Sequence, residues 1–213
     1  MFDRLKDKAI IVVGAGSGIG ASTVRRLAAE GAHVAVADIN LPAAETVAQS
    51  VVDTGGRAFA VAIDIADEAA VTQAFGEALD RLGRLDGAHI NAADLRVIFG
   101  DSDALDEELA VFDRTHQVNL RGHLLCTRAA LPHLLASGEG AIVYTSSGAC
   151  DAGDSQRPAY ASAKAGLNAL MRHVAQRWGA EGVTANCVAP GFTITPEMAA
   201  CRGCCPTRWS KGS

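Results

Sequence analysis

The chain has 213 residues, of which 49% are hydrophobic, and a formal net charge of -5. This length can bury one sizeable core, which favours a single domain. The negative charge excludes the basic field that nucleic acid or an anionic membrane surface would require. No run reaches the ~20 apolar residues of a membrane-spanning helix, and six cysteines in a chain of this size do not make a disulfide scaffold. We therefore expect a cytoplasmic protein that binds neither a membrane nor nucleic acid.

Short apolar runs alternate with helical patterns along the chain. The apolar runs predict buried parallel strands at residues 9–13, 33–37, 58–63, 88–90, 141–145 and 183–189. Helices are predicted between them, at residues 22–30, 41–54, 67–82, 109–136 and 159–178. Pro132 lies inside the fourth helix and is expected to kink it. Regular alternation of this kind predicts a single α/β domain, a doubly wound parallel sheet of about six strands with helices on both faces.

A glycine-rich turn, Gly14-Ala15-Gly16-Ser17-Gly18-Ile19-Gly20, follows the first predicted strand and opens a helix. Amides at such a helix N-terminus can face a pyrophosphate, although a glycine pattern alone also fits an ordinary tight turn. Asp38 strengthens the binding interpretation, because a carboxylate at the end of the second strand can accept hydrogen bonds from both ribose hydroxyls of an adenosine. The alternative is that Asp38 is a turn residue or a cap for the next helix. A carboxylate there would repel a 2′-phosphate, and no Arg or Lys stands at Ser17 or in residues 37–40, so NAD is favoured over NADP.

Tyr160 and Lys164 are four residues apart in a helical pattern, so they share one face of the helix. Tyrosine is a poor acid–base catalyst at neutral pH, because its ordinary pKa is about 10. An ammonium about 4 Å away could lower that pKa to roughly 7, a change of about 4 kcal/mol at an effective dielectric constant of about 20. The spacing therefore predicts a tyrosine activated by a lysine, with a simple helix-surface pair as the alternative.

In this order, the glycine turn, Asp38, the Ser147–Tyr160–Lys164 set and Asn186-Cys187-Val188-Ala189-Pro190-Gly191 resemble the short-chain dehydrogenase/reductase family. The resemblance covers residues 5–198 and implies a Rossmann-type fold. It also implies hydride transfer between NAD(H) and a small-molecule secondary alcohol or ketone. The implied cofactor-binding residues are Gly14, Ser17, Gly18, Ile19, Gly20, Asp38, Asp64, Ile65, Asn91, Ala92, Tyr160, Lys164, Pro190, Gly191 and Thr195.

The same resemblance implies the catalytic roles. Tyr160 would be the acid/base, Lys164 would lower its pKa and hold the nicotinamide ribose, and Ser147 would hold the substrate oxygen. Asn119 would hold a water molecule in a proton relay to Lys164. The alternatives are that Asn119 is a helix-packing amide and that Ser147 only ends a strand.

The chain departs from the family pattern after Gly191. The family continues through a lid, another helix and a last strand, whereas residues 199–213 have neither helix nor strand periodicity. We expect a dinucleotide-binding and catalytic domain over residues 1–198 that lacks the last strand, and a disordered tail over residues 199–213. Cys201, Cys204 and Cys205 have no second pair or histidine after them, so no metal site is expected. The alternative function is a truncated relative that binds nucleotide or protein partners with little or no turnover.

Two further expectations concern surfaces. The resemblance implies a homodimer formed through the helices at residues 109–136 and 159–178. The acidic run at residues 101–108 is interpreted as a solvated helix start rather than a metal or substrate site.

Overall fold

The computed structural model describes residues 3–153 and 155–195. Within them, six parallel strands form one sheet in the order β3-β2-β1-β4-β5-β6. The strands are β1 (Ala9–Val13), β2 (His33–Asp38), β3 (Arg57–Ala62), β4 (Gly87–Ile90), β5 (Ala141–Thr145) and β6 (Thr184–Val188). Each predicted strand is confirmed to within one residue at either end. The expectation of a disordered tail over residues 199–213 lies outside the described residues.

In the described part of the chain, six α-helices connect and cover the strands. They are α1 (Gly18–Ala29), α2 (Leu41–Val52), α3 (Glu68–Leu82), α4 (Leu109–His116), α5 (His123–Ser137) and α6 (Pro158–Trp178). Local sequence explains the bounds of α3 well. The Asp67 carboxylate accepts hydrogen bonds from the amides of Ala69 and Ala70, and Gly83 ends the helix in the left-handed region with a φ of 76°.

The predicted helix at residues 109–136 is divided in two. Gln117–Gly122 forms a π-helical turn between α4 and α5, whereas Pro132 lies inside α5. The prediction of one regular helix over residues 109–136 is therefore wrong at Gln117–Gly122, whereas the kink expected at Pro132 stays a prediction. Gly122, the last residue of this turn, approaches the segment after β3 closely, because a Cβ at Gly122 would lie 2.7 Å from the carbonyl oxygen of Ile65. A π turn inserts a residue and redirects side chains, and such turns are frequent at functional sites.

Apolar side chains fill both faces of the sheet. In β1, Ile11 and Val13 face the cluster that includes residues of α3, α5 and α6. Ile10 and Val12 face the opposite cluster, formed with α1 and α2. This alternation places helices on both faces, as predicted for a doubly wound sheet.

The sheet order fixes the position of the site. β1 pairs with β2 on one side and with β4 on the other, so consecutive connections leave the middle of the sheet in opposite directions. Such a switch point opens a crevice at the carboxyl ends of the strands, where ligands bind in open α/β sheets. Across residues 3–153 and 155–195, no helix has the length and hydropathy needed to cross a membrane.

Candidate active site

The glycine turn joins β1 to α1 at two positions that accept only glycine. Gly14 has a φ of +79°, and a Cβ there would overlap the backbone of Ala92. A Cβ at Gly20 would overlap the carbonyl oxygen of Gly14. The amides of Gly14 and Ala15 donate to the carbonyl oxygen of Ala37 at 2.8 and 3.1 Å. The turn is therefore held close to the sheet, and α1 begins at the crevice with first-turn amides that have no intrahelical acceptor.

Asp38 lies half-buried at the end of β2, directly beside this turn. Its Oδ2 accepts a hydrogen bond from the Gly16 amide at 2.8 Å, and its Oδ1 accepts one from the Asn40 amide at 2.9 Å. The alternative that Asp38 caps the next helix is not observed, because Asn40 is the residue that caps α2. A carboxylate offers about four lone-pair positions, so both oxygens keep capacity for a further donor.

The neighbouring strand ends carry more of the predicted residues. The Asn91 side chain donates to the carbonyl oxygen of Gly14 at 2.8 Å, which ties the end of β4 to the glycine turn. Ile65 is buried after β3, and the Asp64 carboxylate accepts a hydrogen bond from the Ala66 amide.

A cleft of about 440 Å³ borders α1 on the other side of the turn. Thr195 closes part of it and lies near Gly18, since a Cβ on Gly18 would be 3.4 Å from the Thr195 Cγ2. The cleft is lined by Gly18, Ile19, Ser22, Thr23, Arg26, Leu27, Thr193, Ile194 and Thr195. It contains three predicted cofactor-binding residues but does not reach Ser147 or Tyr160.

Ser147 and Tyr160 meet at the end of β5, although they belong to different elements. The Ser147 hydroxyl lies near enough to the Tyr160 phenol to lower the pKa of the phenol, and it accepts a hydrogen bond from the Ala149 amide at 3.2 Å. The Gly148 amide donates to the carbonyl oxygen of Pro190 at 3.1 Å. The segment that follows β6, with Pro190 and the adjoining Gly191, therefore runs beside Ser147.

Lys164 is almost fully buried, one helical turn beyond Tyr160. Its Nζ donates to the carbonyl oxygen of Thr145 at 2.8 Å and lies 5.7 Å from the centroid of the Tyr160 ring. Burial lowers the pKa of Lys164 to about 8, so the ammonium form still predominates at about pH 7.

The predicted lowering of the Tyr160 pKa is not found in this arrangement. Burial raises the pKa of Tyr160 above its ordinary value, and the nearby Ser147 hydroxyl and the positive charge of Arg157 oppose the rise only in part. Desolvation is therefore the largest influence on the phenol, and the Lys164 ammonium donates to the carbonyl oxygen of Thr145.

Asn119 is fully buried in the π turn. Its Oδ1 accepts a hydrogen bond from the Asp94 amide at 2.9 Å, and its Nδ2 has no partner among the described residues. A buried donor of this kind is normally satisfied by ordered water. The structure therefore fits the water-binding role expected of Asn119 without testing it.

A buried polar chain beneath the site was missed by the sequence analysis. The His89 Nε2 lies 2.9 Å from the Thr145 Oγ1, which donates to the Asn91 Oδ1 at 2.9 Å. Because the threonine proton is directed to Asn91, the His89 Nε2 must carry the proton that bonds Thr145. Asn91 continues the chain to Gly14. A histidine inside the apolar run at residues 88–90 was the signal that could have revealed it.

The acidic run at residues 101–108 is not a uniformly solvated helix start, so that interpretation is corrected. Asp101 is only 4% exposed, and its carboxylate accepts hydrogen bonds from the amides of Ala159 and Tyr160. Asp103, by contrast, is exposed and caps only its own turn. Within the described part of the chain, no group of three or more His, Cys, Asp and Glu side chains is arranged to hold a metal ion.

Comparison with known proteins assigns the fold and site to a family. Residues 8–202 match the family model described as short chain dehydrogenase. The chain belongs to the short-chain dehydrogenase family. This confirms the predicted resemblance and makes the protein a member of an oxidoreductase family whose sheet and crevice it shares.

Three similar proteins illustrate the relation. The chain is 37% identical over 200 residues to cis-4-hydroxycyclohexanecarboxylate dehydrogenase of Sinomonas cyclohexanicum. The match covers 93% of this chain and 78% of the relative. It is 36% identical over 192 residues to meso-2,3-butanediol dehydrogenase of Serratia marcescens, covering 90% and 74% of the two chains. The crystal structure of levodione reductase superimposes with a TM-score of 0.85 at 33% identity, over 91% of this chain and 74% of that one.

Proposed function

We propose that this short-chain dehydrogenase transfers a hydride between NAD(H) and a small-molecule secondary alcohol or ketone. The observation that carries the proposal is that the Ser147 hydroxyl lies near the Tyr160 phenol, whose pKa it lowers, at the same carboxyl edge of the sheet as the glycine turn. Two hydroxyl groups that converge on one point can hold a substrate oxygen between them. The names of the similar proteins, which include a butanediol dehydrogenase and a levodione reductase, support an alcohol or ketone as the substrate class.

The residues at the crevice fit a dinucleotide. A turn that excludes a Cβ at Gly14 and Gly20 allows the backbone to approach a pyrophosphate closely. In the proposed site, Gly14, Ser17, Gly18, Ile19 and Gly20 would hold the pyrophosphate, and Asp38 would accept hydrogen bonds from the ribose hydroxyls. Asp64 and Ile65 would flank the adenine, and the remaining cofactor contacts would come from Asn91, Ala92, Pro190, Gly191 and Thr195. A bound nicotinamide supplies hydride exchange at the carbon that bears the substrate oxygen.

Tyr160 moves the proton. In oxidation the tyrosinate accepts the proton of the substrate hydroxyl, and in reduction the phenol donates it, while Ser147 keeps the oxygen in place. The Lys164 ammonium, whose Nζ lies 5.7 Å from the centroid of the Tyr160 ring, is the proposed positive charge that favours the tyrosinate during turnover. A water molecule on Asn119 would carry the proton onward towards Lys164.

A cofactor-reduction assay over a panel of secondary alcohols tests the proposal. Tyr160→Phe keeps the ring and removes the exchangeable proton, so turnover should fall below about a hundredth of the wild-type rate. Tyr144→Phe is the matched control, because Tyr144 is the only other tyrosine and its hydroxyl bonds Thr127 in the core. Calorimetric NAD affinity should stay within about twofold in both variants, since neither hydroxyl contacts the glycine turn.

Two results would contradict the proposal. A Tyr160→Phe protein that keeps a tenth or more of the activity would remove this tyrosine from the mechanism. NAD binding without reduction across the whole panel would favour the alternative function, a nucleotide-binding relative without turnover.

A further inference from the structure

The segment between β4 and α4 is tied to the start of α6 by three hydrogen bonds. The Asp101 Oδ1 accepts from the Ala159 amide at 3.1 Å, and its Oδ2 accepts from the Tyr160 amide at 2.7 Å. The Arg157 amide donates to the carbonyl oxygen of Ser102 at 2.8 Å. All three donors are backbone amides at the N-terminus of α6, the helix that carries Tyr160. The two residues that accept them, Asp101 and Ser102, are consecutive and lie about 60 positions earlier in the chain.

The start of α6 depends on this contact, because the helix lacks a local cap. Arg157 occupies the N-cap position in the left-handed region, with φ 68° and ψ 46°, and its side chain makes no capping hydrogen bond. Pro158 follows and has no amide proton. The first two amides that the helix offers are therefore those of Ala159 and Tyr160, and Asp101 accepts both. A carboxylate at this position also interacts favourably with the helix dipole.

The consequence is that the backbone of Tyr160 is held from outside its own helix. Its amide is fixed by the buried Asp101 carboxylate, and its phenol lies near the Ser147 hydroxyl, which opposes the rise in its pKa. Among the hydrogen bonds of the described residues, Asp101 has none to Ser147 or to the glycine turn, so its influence on the site passes through the tyrosine backbone. A displacement of about 1 Å at a catalytic group can cost about a hundredfold in rate.

We propose that Asp101 is a positioning residue for Tyr160, setting the place of the phenol by clamping the first turn of α6 to the segment after β4. The proposal rests on the proposed function, in which Tyr160 is the acid/base. It goes beyond that function because it assigns a role to a carboxylate outside the serine–tyrosine–lysine set.

The test uses the two tyrosines of the chain as probes. Protein labelled with ¹³C at the tyrosine Cζ should give one NMR line each for Tyr144 and Tyr160, assigned with Tyr160→Phe. Asp101→Ala removes both acceptors, and Asp101→Asn keeps the shape but only one acceptor oxygen. Asp103→Asn is the matched control, because the exposed Asp103 carboxylate accepts only from the amides of Leu105 and Asp106 in the same segment.

We expect the Tyr160 line to move or split in both Asp101 variants, more in Asp101→Ala, while the Tyr144 line stays in place. With an active substrate, kcat should fall about tenfold to a hundredfold in Asp101→Ala and less in Asp101→Asn, with the KM for NAD within about twofold. Asp103→Asn should leave both lines and kcat unchanged.

An unchanged Tyr160 line in an Asp101 variant that keeps the native Tyr144 line overturns the proposal. A Tyr160 shift of equal size in Asp103→Asn also overturns it, because the effect would then belong to the segment as a whole. If Asp101→Ala does not fold, the isosteric Asp101→Asn decides. If the wild-type protein reduces no cofactor, the proposed function fails, whereas the NMR comparison still decides the role of Asp101.

Discussion

Two histidines, the fully buried His123 and the partly buried His89, should make the folded protein sensitive to mild acid. Burial, followed by the positive charge of Lys164, lowers the pKa of His123 to about 3, and burial lowers the pKa of His89 to about 4. The same side chains in the unfolded chain titrate near pH 6.5. Since the unfolded chain takes up these protons more readily, the free energy of unfolding is unaffected above about pH 6.5 and falls as the pH drops below it.

The size of the effect follows from the two pKa values. Each histidine lowers the free energy of unfolding by about 1.4 kcal/mol per pH unit between about pH 6.5 and its folded pKa. At about pH 4.5 each histidine has therefore lowered the free energy of unfolding by roughly 2.7 kcal/mol, and the two together by about 5 kcal/mol. This loss approaches the ~5–15 kcal/mol total stability of a typical domain. Glu30, whose pKa is held low by Arg4, loses its contribution mainly below about pH 4.5. Between about pH 6.5 and 4.5, the change in the free energy of unfolding is therefore expected to come mainly from the histidines.

Denaturant unfolding followed by tryptophan fluorescence at a series of pH values measures this dependence. His89→Val and His123→Leu should each remove about half of the slope below about pH 6.5, and the double variant most of it. His33, whose pKa burial also lowers, leaves a small residual slope. His173→Gln is the control, because His173 is exposed on α6, and it should keep the full slope. A double variant with the wild-type slope would refute the reasoning, since the protons would then be taken up elsewhere.

Two further predictions concern the cofactor and the assembly. Titration should show tighter binding of NAD than of NADP. Asp38→Ser combined with Ile39→Arg, at a side chain that is 64% exposed, should narrow or reverse this preference, because it replaces a charge that repels the 2′-phosphate with one that attracts it. NADP binding to the wild type as tightly as NAD would remove the role given to Asp38. Light scattering coupled to size exclusion should give the mass of a homodimer, which we expect to form through α4, α5 and α6. Leu109→Asp changes an apolar side chain on α4 that is 76% exposed, and it should shift the dimer towards monomer. A stable tetramer, or a dimer that Leu109→Asp leaves intact, would contradict the predicted surface.

The elements that the sequence predicted well are those that local signals determine. Buried parallel strands are continuous apolar runs, so β1 and β5 were predicted at their observed bounds. The start and end of α3 follow from an aspartate N-cap and a left-handed glycine, whose preferences depend on a few neighbouring residues. The order of strands and helices then restricts the topology to a doubly wound sheet.

The features that could not be predicted are set by contacts between distant parts of the chain. The π turn before α5 accompanies the close approach of Gly122 to Ile65, which leaves no signature within the helix itself. Asp101 has the sequence surroundings of a solvated acidic turn, and only the placement of α6 beside it reveals a capping role. The pKa of Tyr160 could not be predicted for the same reason. The spacing to Lys164 predicts a positive charge that would lower this pKa, but the burial that raises it depends on the completed fold.

Thr145 connects the two parts of the predicted site, the tyrosine–lysine pair and the glycine turn, so these parts should not be treated as independent. Its carbonyl oxygen accepts the Lys164 ammonium, and its hydroxyl joins His89 to Asn91, which in turn holds the glycine turn through Gly14. One residue outside every predicted motif therefore connects the lysine that acts on Tyr160 with the turn proposed to bind the pyrophosphate. Because buried hydrogen-bond networks are stabilised as a unit, a change in the protonation or packing of His89 would reach both halves of the site through this threonine.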